Sequence, residues 1–431
     1  MAARLLIQMW EVRCGGVPRP ERDTIAMGLG LSAIRLDSTP NLVIVVVLTL
    51  LAIIAVPFLW ERWRRKVLGR STTILAAVVL VVVSTAMGGN MIGGFFPTVG
   101  ALFGTGVYSG ESVDAVAGQN GSDLDKLRDT GAMRAKEGKG SVVHMTVTGE
   151  RTGLTRDVSV YFPPQYYDPA YRTLDFPVIE WIPNYPSGPE VVTGPYELPA
   201  RLDAAIAKHV LPPTLVIIPD PTGKPKVGHD TECIDEVNGT ANDTYLTADI
   251  RDWAIEKLGA NPQRKAWTMA GWSSGGYCAM NLVTRHPQWY GQAASVSGYY
   301  KASVDAETEN LFKGRQDIAD ANTVTVNLQK HPSPVDILAI AGDKESFESF
   351  SIDQIQAAVR APATLSSWRI PDAGHNMNTF KAQIPDVLAW IGARTVPPCA
   401  PQDKKIITNG GVTPWSLPHT GAKGALVDVV E

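Results

Sequence analysis

Cysteine is scarce in this sequence: four residues in 431, at positions 14, 233, 278 and 399, with a spacing that matches no zinc pattern. Long basic runs with interleaved aromatics are missing, and the formal net charge is only −4. Without that electrostatic footprint, no nucleic-acid partner is expected. No internal repeat recurs at solenoid periods, which excludes a repeat array. Histidine is sparse too, with seven residues, so each can be weighed singly as a candidate base.

What is present is an uneven distribution of apolar residues. Leu42 to Trp60 runs without a charge, about the length that crosses a bilayer core. A second uncharged run starts at Ser71, is densest from Ile74 to Met87, and continues through Gly110 while filling with glycine. Core helices of soluble domains rarely lack a polar face for this long, so a lipid bilayer is the expected partner of both helices. Between them lie Arg62, Arg64, Arg65, Lys66 and Arg70. These cations predict a cytoplasmic loop, which places everything after about residue 95 outside the cytoplasm. The expectation is a multi-pass protein of the cell membrane with an extracytoplasmic catalytic domain.

Arg4, Arg13, Arg19, Arg22 and Arg35 precede the first span and pull the other way. A translation start at Met27 is therefore expected; detecting the peptide from Met1 to Ala26 in the mature protein would defeat it. A cleaved signal peptide fits less well, because the first run is too long for an h-region and a second follows. A third span over Met91 to Tyr108 would invert the topology, but its glycines and Pro97 argue for a membrane-proximal loop.

These patterns divide the chain into an N-terminal segment (1–41), two spans with their cytoplasmic loop (42–90, loop 61–70), a membrane-proximal linker (91–140), a catalytic domain (141–395) and a tail (396–431). The catalytic stretch opens on two alternating segments, SVVHMTVTG and DVSVYFPP, which predict an antiparallel hairpin ending at Pro163 and Pro164. Short apolar runs then alternate with helical stretches: FPVIEWIP, YELPARLDAAIAKHV, PTLVIIPD, YLTADIRDWAIEKLG and RKAWTMAG. Such alternation predicts an α/β fold with a mostly parallel sheet. Further strands are expected at AASVSG, VDILAIAG and TLSSWRI, and a last helix at FKAQIPDVLAWIGAR.

Chemistry concentrates at Gly271-Trp272-Ser273-Ser274-Gly275, a G-x-S-x-G pattern with an apolar strand before it and a helix after it. A sharp strand-to-helix turn exposes the serine there, and small flanking residues are needed where strand and helix crowd. A Gly-rich structural turn is the bland alternative. A serine hydroxyl needs a base to take its proton, and His375, in the turn of PDAGHNMNTF, stands where that base falls in Ser-acid-His chain order. His144, His209, His286 and His419 fit less well, and His229 precedes the nucleophile in a loop.

The acid is expected after the strand VDILAIAG. Glu345 is preferred, Asp343 is the alternative and Glu348 the third choice; any of them would orient the imidazole. The developing oxyanion needs two N–H donors. Ser274 is the expected first donor, and Tyr185, in the loop WIPNYPSGPE, the second. That loop is otherwise a Pro/Gly turn without a catalytic part. In an oxidising compartment Cys233 and Cys278 are a candidate disulfide, with buried free thiols as the alternative.

The chain resembles the esterase D family, which includes S-formylglutathione hydrolases, enterochelin-esterase-like proteins and the mycolyltransferases of actinobacterial envelopes. The resemblance covers roughly Gly140 to Arg394 and rests on AGWSSGGYCA, FPVIEWIPNYPSG, DTECID followed by TYLTADIRDW, LAIAGDKE and AGHNM. It implies an α/β-hydrolase core, no metal or other cofactor, and acyl transfer through an acyl-serine to water or to a sugar hydroxyl. The two-span anchor and linker resemble the multi-span versions of actinobacterial membranes. Mycolyltransferases carry Asp-Gly-x-Arg on the oxyanion loop, where this chain has Pro183-Asn184-Tyr185-Pro186, so trehalose or mycolate specificity does not carry over.

The expected protein is thus a membrane-anchored serine esterase acting on small-molecule or lipid esters. The alternatives are an acyltransferase using a sugar or lipid alcohol, and a non-catalytic envelope-binding scaffold. A scaffold would show a lost triad member, and the sequence retains a candidate for each.

Overall fold

A computed structural model describes residues 34–36, 38–63, 65–93, 99, 111–116, 135–223, 229–304, 308, 311–345, 352–400 and 427–429. Contacts divide the chain into two compact units, one holding two long apolar helices and the other the sheet. Most of segment 1–41, much of 91–140 and most of 396–431 lie outside the described residues, as do Met27, Glu348 and His419.

In the helical unit, α1 spans Thr39–Leu59 and α2 spans Lys66–Gly93. The α1 helix has 21 residues, about 30 Å at 1.5 Å per residue, which matches a hydrocarbon core. Both helices turn Val, Leu and Ile side chains outward rather than into protein. The Thr49 hydroxyl lies 2.8 Å from the Val45 carbonyl and 3.1 Å from the Leu80 carbonyl of the other helix. The α2 helix begins at Lys66, several residues before the uncharged run at Ser71, so part of the basic stretch is helical. That extension costs little, because Lys, Val, Leu and Arg are all tolerated in a helix.

The sheet unit contains β1 (Glu111–Val116), β2 (Ser141–Thr148), β3 (Thr155–Phe162), β4 (Val178–Ile182), β5 (Leu215–Pro219), β6 (Trp267–Trp272), β7 (Gln292–Val296), β8 (Asp336–Gly342), β9 (Thr364–Ile370) and β10 (Val427–Val429). Their order in the sheet is β1-β2-β3-β5-β4-β6-β7-β8-β9-β10. From β5 to β9 all neighbours are parallel. The β2–β3 hairpin joins this block antiparallel, through β3 and β5. Two short edge strands, β1 and β10, form within the stretches expected as linker and tail. An open sheet edge offers unpaired N–H and C=O groups that a passing chain can satisfy without a strong strand pattern of its own.

The strands β4, β5, β6 and β7 are buried at every position, the consequence of a parallel sheet covered on both faces. Among the helices between these strands are α3 (Leu198–Ala207) after β4, α4 (Ile250–Lys257) after β5 and α5 (Ser274–Arg285) after β6; α6 (Ile352–Ala358) follows β8 and α7 (Met377–Gly392) follows β9. The α5 helix packs on β4, β6 and β7.

Strand β4 has β5 on one side and β6 on the other, so the strand order reverses there. In open α/β sheets the crevice for a ligand lies outside the carboxyl ends of the strands at such a reversal. The loop after β4 and the turn after β6 both emerge at that point.

Candidate active site

Ser273 joins β6 to α5 with φ 57° and ψ −124°, a strained conformation for a residue with a side chain. Its backbone is held from both sides: the Ser273 N–H donates to the Val296 carbonyl at 3.0 Å, and its carbonyl accepts from the Tyr277 N–H at 3.0 Å. Two glycines make the turn possible. A Cβ on Gly271 would lie 2.4 Å from the Gly275 carbonyl carbon, and one on Gly275 would lie 2.2 Å from the Ile182 oxygen. The helix start is thus pressed against the end of β4.

His375 sits between β9 and α7, with Nε2 3.0 Å from Ser273 Oγ and Nδ1 3.2 Å from Glu345 Oε2. An ionised carboxylate only accepts, so this geometry puts the imidazole proton on Nδ1 and leaves Nε2 free to receive the serine proton. The Glu345 side chain is 1% exposed. Its other oxygen, Oε1, accepts from the Ser297 hydroxyl at 2.6 Å and the Gly342 N–H at 2.7 Å. Burial pushes the Glu345 pKa up, but hydrogen bonds from His375, Ser297 and Gly342, with the charge of a protonated His375, outweigh it and hold the carboxyl below its usual 4.5.

Asp343, the alternative acid, is exposed, and its backbone N–H donates to the Ile370 carbonyl. Among the described carboxylates of this loop, Glu345 is the one in reach of the imidazole. Other histidines have different neighbours: His229 faces Glu236 at 2.9 Å, His286 faces Asp243 at 2.7 Å, and His144 faces Ser159 at 2.6 Å.

At Ser274 and Tyr185, the two residues expected to donate to an oxyanion, the Tyr185 N–H donates to the Ser274 hydroxyl at 2.7 Å. Ser274 is the first residue of α5, where the backbone N–H has no intrahelical acceptor and the helix dipole is positive. Asn184, before Tyr185, accepts a hydrogen bond from the Tyr196 hydroxyl, and Tyr196 in turn meets the Trp272 ring edge-on. Cys233 and Cys278 are bonded, linking the loop after β5 to the first half of α5.

Two contributors escaped the sequence reading. Ser297 follows β7 at φ 53° and backs Glu345; nothing in VSGYY distinguishes it from any serine after a strand. Trp272 stacks on the His375 ring. Its place as the variable residue of G-x-S-x-G was the only available signal, and that pattern carries no information about a distant imidazole.

A family described as putative esterases matches residues 149–391, more than half of the chain. The chain belongs to that putative esterase family. Membership agrees with a serine at a strained strand-to-helix turn, and it makes the protein a serine esterase or acyltransferase. An uncharacterised protein of Corynebacterium glutamicum is 23% identical over 342 residues, 76% of this chain and 77% of that one. The MPT51 antigen of Mycobacterium leprae is 40% identical over 74 residues, 17% of this chain and 24% of the antigen. The match therefore spans about a quarter of that relative.

Among solved structures, an S-formylglutathione hydrolase from Agrobacterium tumefaciens superposes with a TM-score of 0.51 at 15% identity, over 59% of this chain and 95% of its own. A ferulic acid esterase gives 0.50 at 15% identity, over 59% and 98%. These likenesses identify the α/β-hydrolase fold of the sheet unit.

Proposed function

We propose that this chain is a membrane-anchored serine esterase that hydrolyses carboxylic esters through an acyl-Ser273 intermediate. The observation that carries the reading is the unbroken line of contacts from Ser273 Oγ to His375 to Glu345. Ser273 Oγ attacks the ester carbonyl carbon while its proton passes to His375 Nε2, and the carbonyl electron pair becomes the oxyanion. Ser274 and the Tyr185 loop face that oxyanion. Collapse expels the alcohol, which takes the proton from His375. Water, deprotonated by the same imidazole, then releases the acid. Glu345 stays ionised and stabilises the imidazolium.

The membrane part of the proposal rests on two described helices long and apolar enough to cross a bilayer. The basic loop between them would face the cytoplasm, leaving the catalytic unit outside. The Cys233–Cys278 bond supports that side, because disulfides persist in oxidising compartments. The substrate class is a small-molecule or lipid ester.

Transfer of the acyl group to a sugar or lipid hydroxyl is the second reading, favoured by the resemblance to mycolyltransferases. A p-nitrophenyl ester assay separates the two. Hydrolysis yields free acid whatever alcohols are added, whereas acyl-acceptor product without free acid would replace the esterase reading by the transferase. Turnover by Ser273→Ala or His375→Ala at the wild-type rate would remove both.

A further inference from the structure

Ser274 is buried, and its hydroxyl accepts from the Tyr185 N–H in a partly buried contact, so it occupies the place where that N–H points. A donor aimed at an oxyanion would aim at that same region, since Tyr185 lies on the loop after β4 and Ser274 opens the helix after the nucleophile. With its lone pair engaged by Tyr185, the Ser274 oxygen still carries a proton of its own, because a hydroxyl both accepts and donates.

We propose that Ser274 serves the oxyanion twice, through its backbone N–H and through its hydroxyl, and that Tyr185 acts through that hydroxyl. The inference rests on the acyl-Ser273 reading. As Ser273 Oγ bonds to the carbonyl carbon and the π pair moves onto oxygen, the Ser274 O–H turns its proton to the new anion without giving it up. The Tyr185 N–H, donating to the same oxygen, polarises it and strengthens the outgoing bond; chains of hydrogen bonds reinforce one another in this way. Both donors of Ser274 lie at the first turn of α5, whose dipole favours negative charge.

Crowding keeps the arrangement in place. The Gly275 α-carbon abuts the Ile182 carbonyl so closely that no Cβ fits, which fixes the start of α5 against the loop carrying Tyr185. The Tyr196–Asn184 bond holds that loop from its other side.

The test compares Ser274→Ala and Ser274→Thr with the wild type on a p-nitrophenyl ester, in the full-length detergent-solubilised chain. Removing one oxyanion donor lowers kcat by roughly 10²-fold. Ser274→Ala is expected to show that loss with KM changed less than about threefold, while Ser274→Thr, which keeps a hydroxyl, recovers most of the rate. Affinity for an alkyl boronic acid, whose tetrahedral adduct on Ser273 fills the oxyanion position, should fall with kcat rather than with KM.

Ser274→Ala turning over at or above the wild-type kcat would overturn the inference, since Tyr185 would then reach the oxyanion unaided. Equal losses in Ala and Thr would overturn it too, as the mark of a steric role. Both outcomes leave acyl-Ser273 chemistry standing. A wild type in which no fluorophosphonate bonds to Ser273 removes that chemistry and this inference together.

Discussion

The imidazole of His375 lies over the indole of Trp272, with ring centroids 5.2 Å apart and 25° between the planes. The residue beside the proposed nucleophile therefore packs against one face of the proposed base. Trp272→Leu opens one face of the imidazole and is expected to lower kcat about tenfold, a small misplacement of a catalytic group being costly. Trp272→Phe keeps an aromatic face and should stay near the wild type. Steady-state kinetics, with fluorophosphonate labelling of Ser273 as the check that the fold survives, decides between them.

Ser297 offers a test that reads pH. It stands at φ 53°, where glycine is at ease, so Ser297→Gly removes the hydroxyl without straining the backbone. Glu345 has its pKa held down in part by that hydroxyl. A depressed carboxylate contributes above its unfolded pKa and loses its role as pH falls through the folded value. Removing the Ser297 bond raises that folded value, so acid unfolding should set in at higher pH in Ser297→Gly than in the wild type. An acid midpoint that stays in place would show that Ser297 does not tune Glu345.

Most of the candidate site is legible in the sequence, for reasons that lie in single elements. A strand running into G-x-S-x-G and a helix running out of it constrain Ser273 locally, and His375 follows from chain order after the last parallel strand. Glu345 and Asp343 could not be separated, because which carboxylate turns inward depends on how Gly342 and Ser297 cradle one of them. The parallel block was visible as apolar runs at VIEWI, LVIIP and WTMAGW. The reversal at β4 and the edge pairings of β1 and β10 were not, since strand order depends on long-range contacts that local periodicity does not encode.

Glu180 predicts how stability responds to pH. It is fully buried on β4, its Oε2 accepting from the Tyr290 hydroxyl at 2.9 Å. Burial, only partly offset by Tyr290 and Arg251, pushes its pKa up from 4.5 to about 8. Between those values the folded chain holds a proton that the unfolded chain has released. Stability from this group therefore falls as pH rises from about 4.5 to about 8, by at most about 1.4 kcal/mol per unit. Denaturant midpoints measured across that range should flatten in Glu180→Gln; an unchanged slope would contradict the assignment.

The Cys233–Cys278 bond closes a loop with a sequence separation of 45. Cross-links of this reach contribute about 2–4 kcal/mol by limiting the unfolded chain. The Cys233→Ser, Cys278→Ser pair should lower the thermal midpoint of the sheet unit. Midpoints equal to the wild type under oxidising conditions would show that the bond adds nothing.

The proposed arrangement, a single activated serine at residue 273 in a catalytic unit outside the cytoplasm, would expose that serine to a membrane-impermeant fluorophosphonate on intact cells, with the adduct located by peptide mass mapping. One adduct is expected, on Ser273, absent from Ser273→Ala and His375→Ala. An adduct formed only after permeabilisation would contradict the orientation, and a chain that stays unlabelled even in lysates, or labelled at another serine, would contradict the chemistry.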